Sequence, residues 1–222
     1  MRILRAAYNR AVEAGTISDR RPFSHVYTGV DKTIKRALPL SAIRKIRDLD
    51  LTMFPAAAHA RDIFMLSFYL RGMSFVDMAY LRKADLRKGH ITYRRRKTGQ
   101  PLSIAWTSEM QAILDKYPPN PTCYLLPIIR TVGINERWAY LNAGYNINHH
   151  LKKIGARLNL PLTLTLYVAR HSWATAAQVK GIPISTISEG LGHDREATTR
   201  IYLASLSTTA VDRANAIILR SL

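Results

Sequence analysis

Four positions in this chain have residue types and spacings that point to chemistry on an anion: Tyr167 with Arg170, and His193 with Tyr202. On a helix, residues i and i+3 share a face, so Tyr167 and Arg170 can address one group together. A guanidinium is planar, permanently charged and forked, which suits it to paired phosphate oxygens. His193 follows Gly192, whose backbone freedom permits a tight turn. Its imidazole can donate a hydrogen bond to an oxyanion or help deprotonate a hydroxyl. Tyr202 carries such a hydroxyl. Were it to attack a phosphodiester, the transition state would gain negative charge on the non-bridging oxygens, and fixed guanidinium groups would stabilise that charge. Further cations stand upstream, among them the run Arg94-Arg95-Arg96-Lys97.

The composition agrees with an anionic partner. Thirty-three Lys and Arg against fifteen Asp and Glu leave a formal charge of +18 in 222 residues, a self-repelling excess that a polyanion relieves. The basic residues are spread along the chain and form no single amphipathic stripe, which favours nucleic acid over a lipid surface. The amino terminus lacks an apolar run of signal-peptide length, and the stretch Ile63 to Leu70 is too short to cross a bilayer, so the protein reads as cytoplasmic with no membrane partner. One cysteine, Cys123, excludes an internal disulfide and any multi-cysteine metal site, and it is expected to be a small packed residue.

The elements that must position these residues are mostly helical. Leu4, Ala7, Tyr8, Ala11 and Val12 predict an amphipathic first helix stopped by Gly15, followed by a linker from Asp19 to Pro39 and a domain boundary near residue 35. Ser41 can cap a helix bearing Ile43, Ile46 and Leu49, and Ala57 to Leu70 predicts a buried helix. Ser74 and Asp77 form a capping-box pattern for a short helix ahead of the polar turn Arg87-Lys88-Gly89. Ile91–Arg96 and Leu102–Trp106 flank Lys97-Thr98-Gly99-Gln100 as a β-hairpin, the one clear sheet signal. Helices follow over Thr107–Tyr117, around Leu151, Ile154 and Leu158, over Thr165–Lys180, over Pro183–Glu189 ending at Gly190, and over Arg195–Leu203. A last helix, capped by Ser207, carries Val211, Ala214, Ile217 and Ile218.

Arg170, the turn Leu191-Gly192-His193, and Tyr202 nine residues beyond that histidine resemble the carboxy-terminal signature of the tyrosine recombinase, or phage integrase, family. Lys97 in Arg-Lys-Thr-Gly-Gln matches the family's catalytic lysine, and Arg71 to Asp77 lies where the family keeps its first arginine. The resemblance covers roughly residues 40 to 222 and extends to mobile-element integrases of the Bacteroides type. It implies an α+β, mainly α-helical catalytic domain with a small antiparallel hairpin or sheet over residues 36–222, and it makes residues 1–35 the remnant of a truncated helical DNA-binding domain plus linker. It further implies site-specific cleavage and rejoining of DNA through a 3′-phosphotyrosyl intermediate, with Tyr202 as nucleophile, Arg170, His193, Arg71 and Tyr167 around the phosphate, and Lys97 protonating the departing 5′ oxygen. No cofactor, ATP or metal is implied.

Two positions depart from the family pattern. Ser74 stands where the first arginine belongs, leaving Arg71 as its substitute, and Tyr167 stands where histidine is usual. Phosphate contacts are expected from Arg94, Arg95, Arg96, Lys97, Arg195 and Arg200, although charge runs such as Arg94-Arg95-Arg96 are in part solvated strand faces. Ser74 and Asp77 serve mainly as a helix cap, with Asp77 also able to orient a nearby arginine. His149 and His150 point about 100° apart on a helix and are assigned no metal. The resemblance also implies double-stranded DNA as partner, a homotetramer assembled through the last helix, a host DNA-bending protein as a further partner, and a bacterial protein associated with the nucleoid. Two other readings stay open: a type IB topoisomerase-like nicking and resealing enzyme, and a DNA-binding remnant without catalysis.

Overall fold

The computed structural model describes residues 1–26, 36–193 and 196–203, with Ile201 and Tyr202 described by their backbone alone. The chain divides into two compact units, Met1–Ile34 and Lys35–Leu222. In the first, helix α1 (Arg2–Glu13) buries no residue, and Gly15 follows it with φ of 67°. Tyr8 organises what comes after: its ring meets Phe23 edge to face at 5.7 Å, and its hydroxyl accepts the Arg20 N–H at 2.7 Å.

The second unit is built around α3 (Pro55–Tyr69), where Ile63, Phe64, Met65 and Leu66 are all buried. A helix buried on every side belongs at the centre of a domain. Around it pack α2 (Leu40–Arg47), α5 (Ser108–Leu114), α6 (Glu136–Arg157) and α7 (Leu166–Val179). Pro39, not Ser41, precedes the first residue of α2; its carbonyl accepts from Ala42 and Ile43, so Ser41 falls inside the first turn and caps nothing.

Beyond α3 the chain reverses through Arg71 and Gly72, both left-handed with φ of 59° and 72°, into the short helix α4 (Phe75–Ala79). Ser74 caps α4 by accepting the Asp77 N–H, and its hydroxyl donates to Asp77 Oδ2 at 2.6 Å. The expected hairpin is a three-stranded antiparallel sheet in the order β1 (Leu86–Arg87), β2 (His90–Arg94), β3 (Pro101–Ala105). Lys88 and Gly89, both with positive φ, form a two-residue turn that adds β1 to the hairpin. At the far end Arg95 and Gln100 close the loop that carries Lys97.

The carboxy-terminal helices are α8 (Ile184–Leu191) and α9 (Glu196–Tyr202). Helix α8 runs through Gly190, the stop expected from sequence, and ends two residues later at Gly192, whose φ of 64° and ψ of 44° reverse the chain. The His193 N–H then closes on the Ser188 carbonyl at 3.0 Å. A small second core of Ala174, Ile187, Leu191 and Leu203 ties α7, α8 and the end of α9 together. Cys123 is exposed, not packed: it sits beside the Arg82–Tyr124 bridge, where alternate residues face opposite ways and the buried side goes to Tyr124. The expected helix after Ser207, and with it the proposed tetramer contact, lies outside the described residues, as does Arg195.

Candidate active site

Arg170 projects from α7 and is only 6% exposed, so its charge must be met by fixed oxygens. Its guanidinium donates to the Gly72 carbonyl at 2.7 Å, to the Leu191 carbonyl at 2.7 Å and to His193 Nε2 at 2.9 Å. The close approach of the reversal to α7 requires glycine at 72, since a Cβ there would fall 2.7 Å from the Arg170 Cα.

A second guanidinium shares this arrangement. Arg95, 7% exposed, donates to the Gly192 carbonyl, and its Nε lies 3.8 Å from Asp77 Oδ2. Gly192 repeats the logic of Gly72: a Cβ on it would meet the Arg95 Cδ at 2.6 Å. Each buried arginine is thus anchored on the carbonyl of a left-handed glycine that has room for no side chain. Asp77 completes the support, accepting the Arg96 N–H at 2.9 Å through Oδ1 and the Ser74 hydroxyl through Oδ2.

Arg170 and Arg95 open onto one cleft of about 510 Å³, also lined by Ser74, Lys97, Asn148 and Tyr167. Lys97 stands exposed on the hairpin loop, and Tyr167 packs its ring edge to face on His171 at 4.5 Å. Arg71 is not part of this wall. The left-handed reversal sends it toward α8, where its Cδ lies 3.9 Å from the position a Cβ would take on Gly190. The other cations on the hairpin face outward: Arg94 is exposed and donates to the Gly99 carbonyl at 3.2 Å, and Arg96 lies over the Tyr80 ring at 4.0 Å. Arg200 is exposed on α9, 3.7 Å from Glu196.

Burial, then the charges of Arg170, Arg95 and Lys97, lower the His193 pKa to about 4, so the imidazole is neutral near pH 7. Its tautomer follows from its neighbours. Arginine can only donate, so Nε2 accepts from Arg170; the ring proton then sits on Nδ1, 2.8 Å from the Thr199 hydroxyl. Thr199 is fully buried on α9. Tyr202 is the last residue of that helix, one turn beyond Thr199, and its side chain lies outside the described residues.

Sequence reasoning placed Arg95 among the outer phosphate contacts and passed over Thr199. Arg95 carried a readable signal, because the inward positions of β2, Ile91 and Tyr93, alternate with exposed Thr92 and Arg94, and Arg95 continues the inward set. Among the described residues no group of three His, Cys, Asp or Glu side chains is placed to hold a metal, and no helix is long and apolar enough to cross a membrane.

The helical domain with its small antiparallel sheet has the catalytic-domain fold of tyrosine recombinases. Residues 42–208 match the phage integrase family, and the chain belongs to that family. It is 27% identical over 175 residues to the tyrosine recombinase XerA of Thermococcus kodakarensis, a match covering 76% of this chain and 59% of that protein. The solved XerH site-specific recombinase, in a post-cleavage complex on a palindromic difH substrate, superposes with a TM-score of 0.67 at 17% identity, over 97% of this chain and 63% of the other. The Tn1549 transposon integrase, solved with a circular intermediate DNA, gives a TM-score of 0.62 at 15% identity, over 98% and 76%. The chain spans a little over half the length of the curated relatives it matches.

Proposed function

We propose that this chain is the strand-cleaving and rejoining domain of a site-specific DNA recombinase, acting for a mobile element. The observation that carries this reading is the convergence of two buried guanidinium groups and Lys97 on a single cleft, with a neutral histidine bound to one of them. Two desolvated, pre-positioned cations facing a phosphodiester stabilise the charge that builds up as the phosphorus becomes five-coordinate. The first of the pair is Arg170. Arg95 is the second, taking the part for which Ser74 is too short and toward which Arg71 does not turn.

The chemistry balances in one exchange. The Tyr202 oxygen forms a bond to phosphorus while the bond to the 5′ oxygen breaks, and the nucleophile's proton passes to Nε2 of neutral His193 as the Arg170 N–H moves from that nitrogen to the phosphate oxygen. Lys97 gives the departing 5′ oxygen its proton. The resulting 3′-phosphotyrosyl ester retains the energy of the broken bond, so a 5′ hydroxyl from the same or another strand reverses the step without ATP. Tyr167 lines the phosphate's side of the cleft as a neutral hydrogen-bonding group. Arg94, Arg96, Arg195 and Arg200 contribute contacts to flanking phosphates. Residues 1–35 contribute a helical segment that contacts DNA, and tetramer assembly on DNA uses the segment after Ser207, with a host protein bending the duplex.

The test is covalent capture. The full-length protein is incubated with nicked suicide duplexes drawn from the DNA flanking its own gene, and an adduct that survives denaturant is sought. The expected result is an adduct that Tyr202→Phe abolishes. An adduct unaffected by that substitution would remove Tyr202 as nucleophile; specific DNA binding with no adduct at all would leave the non-catalytic DNA-binding reading.

A further inference from the structure

We propose that Thr199 is a positioning residue for His193, holding the imidazole as its Nδ1–H tautomer so that Nε2 is the basic nitrogen turned toward Arg170. The proposal deepens the reading above and rests on it for the catalytic consequence, while its structural half stands independently. Three observations carry it. The Thr199 hydroxyl is 2.8 Å from Nδ1. Arg170, which can only donate, occupies Nε2 at 2.9 Å, so the hydroxyl must be the acceptor of the ring proton. And Thr199 is fully buried, so water does not compete for that bond.

The location of the threonine has a consequence for the reaction sequence. His193 belongs to the turn after α8, whereas Thr199 belongs to α9, the helix that ends at Tyr202. Leu203 anchors the end of that helix in the small core with Ala174, Ile187 and Leu191. When α9 is seated, one hydroxyl sets the tautomer of the base; when α9 leaves, Nδ1 loses its acceptor. The histidine is therefore prepared only while the nucleophile's own helix is in place. Among the described residues, the charged groups that perturb it, Arg170, Arg95 and Lys97, are cations, and none of these can replace the hydroxyl as acceptor.

Two measurements test this. Long-range nitrogen–proton NMR on the wild-type protein reads the tautomer directly and requires no variant; the expected result is a neutral ring with its proton on Nδ1. Cleavage of the suicide duplex is then compared for Thr199→Val, which keeps the shape and removes the acceptor, and Thr199→Ser, which keeps the hydroxyl. The valine variant is expected to cleave about tenfold more slowly with unchanged DNA affinity, the loss of one hydrogen-bond partner for a buried donor. The acid limb of its rate profile is expected to move below its wild-type position, because burial, Arg170, Arg95 and Lys97 still lower the His193 pKa and the imidazolium has lost the acceptor of its Nδ1–H. The serine variant is expected to recover most of the rate. A wild-type proton on Nε2 would overturn the proposal, as would a valine variant with wild-type rate and profile, or a folded serine variant as slow as valine. If valine prevents folding, the wild-type tautomer and the serine variant decide. Absence of cleavage by the wild type would count against the recombinase reading and leave the NMR result to judge the role of Thr199.

Discussion

The two halves of the cleft are made differently. On the α7–α8 side, Arg170 and His193 are fixed by backbone carbonyls and a buried hydroxyl, and Arg95 reaches across from the sheet to join them on Gly192. On the hairpin side, Lys97 and its neighbours Arg94 and Arg96 stand in solvent at the end of a two-stranded ribbon. Where β2 ends the division falls between consecutive residues, since Arg95 is buried while Arg94 and Arg96 are exposed. A guanidinium already desolvated and anchored loses little freedom when a phosphate arrives, and its field acts in a medium poor in water. An exposed lysine must be ordered at that moment. On the proposed chemistry, the inner half would stabilise charge in the transition state, and the outer half would deliver a proton after DNA has seated the loop.

The largest effects should separate inner from outer arginines. On the proposed chemistry, Arg95→Ala and Arg170→Ala each lower the single-turnover cleavage rate by on the order of 10²–10³-fold, the scale for losing one pre-organised donor to a developing oxyanion. Arg71→Ala is expected to change it by less than about threefold, as for a residue that touches no reacting atom. An Arg71→Ala defect equal to that of Arg95→Ala would break the comparison, because the positive charge would then come from a residue the reversal turns toward α8. Gly192→Ala sharpens the test without removing charge: a methyl 2.6 Å from the Arg95 Cδ and 2.8 Å from the Leu102 Cδ1 of β3, at a φ of 64°, must displace the guanidinium, and should slow cleavage although every cation is retained.

What sequence made legible follows the same division. Helix periodicity located most of the helices, and motif spacing located Arg170, Lys97, His193 and the helix ending at Tyr202. Ser74 with Asp77 was readable as a cap because that pattern is local. Arg71 lies three residues before Ser74 across a turn, and which way such a turn sends a side chain is set by the two successive left-handed residues there, which carry its Cδ toward α8. Strand β1, two residues long, carries no periodicity to read. Thr199 was illegible for a different reason: its meaning depends on the tautomer of a residue on another element, which is fixed in turn by a third.

A smaller effect is expected on the outer half. Lys97→Ala should slow cleavage of an ordinary phosphodiester by about a hundredfold, the usual worth of a general acid. With a sulfur in place of the bridging 5′ oxygen the loss should largely vanish, because a thiolate leaves without being protonated. Arg95→Ala should show no such rescue, since its charge acts on the non-bridging oxygens. Rescue of both variants, or of neither, would mean that the two halves do not divide the work between charge stabilisation and proton delivery.

The smallest expected effect is on stability, and it probes the inner half with no DNA present. Folded His193 has its pKa lowered to about 4, by burial first and then by Arg170, Arg95 and Lys97. In the unfolded chain it titrates near 6.5. Between those values the unfolded chain binds a proton that the folded one refuses, so stability falls as pH drops from about 6.5 to about 4. Above that window neither state is protonated and below it both are, so this histidine adds no further slope on either side. Urea melts of wild type and His193→Gln at pH 7 and pH 4.5 cancel the carboxylates common to both proteins. The wild type should lose more stability on acidification, by on the order of 1 kcal/mol for a partly exposed group. Equal losses would mean that His193 titrates as a surface histidine does, and the inner half would then be no better shielded from water than the hairpin tip.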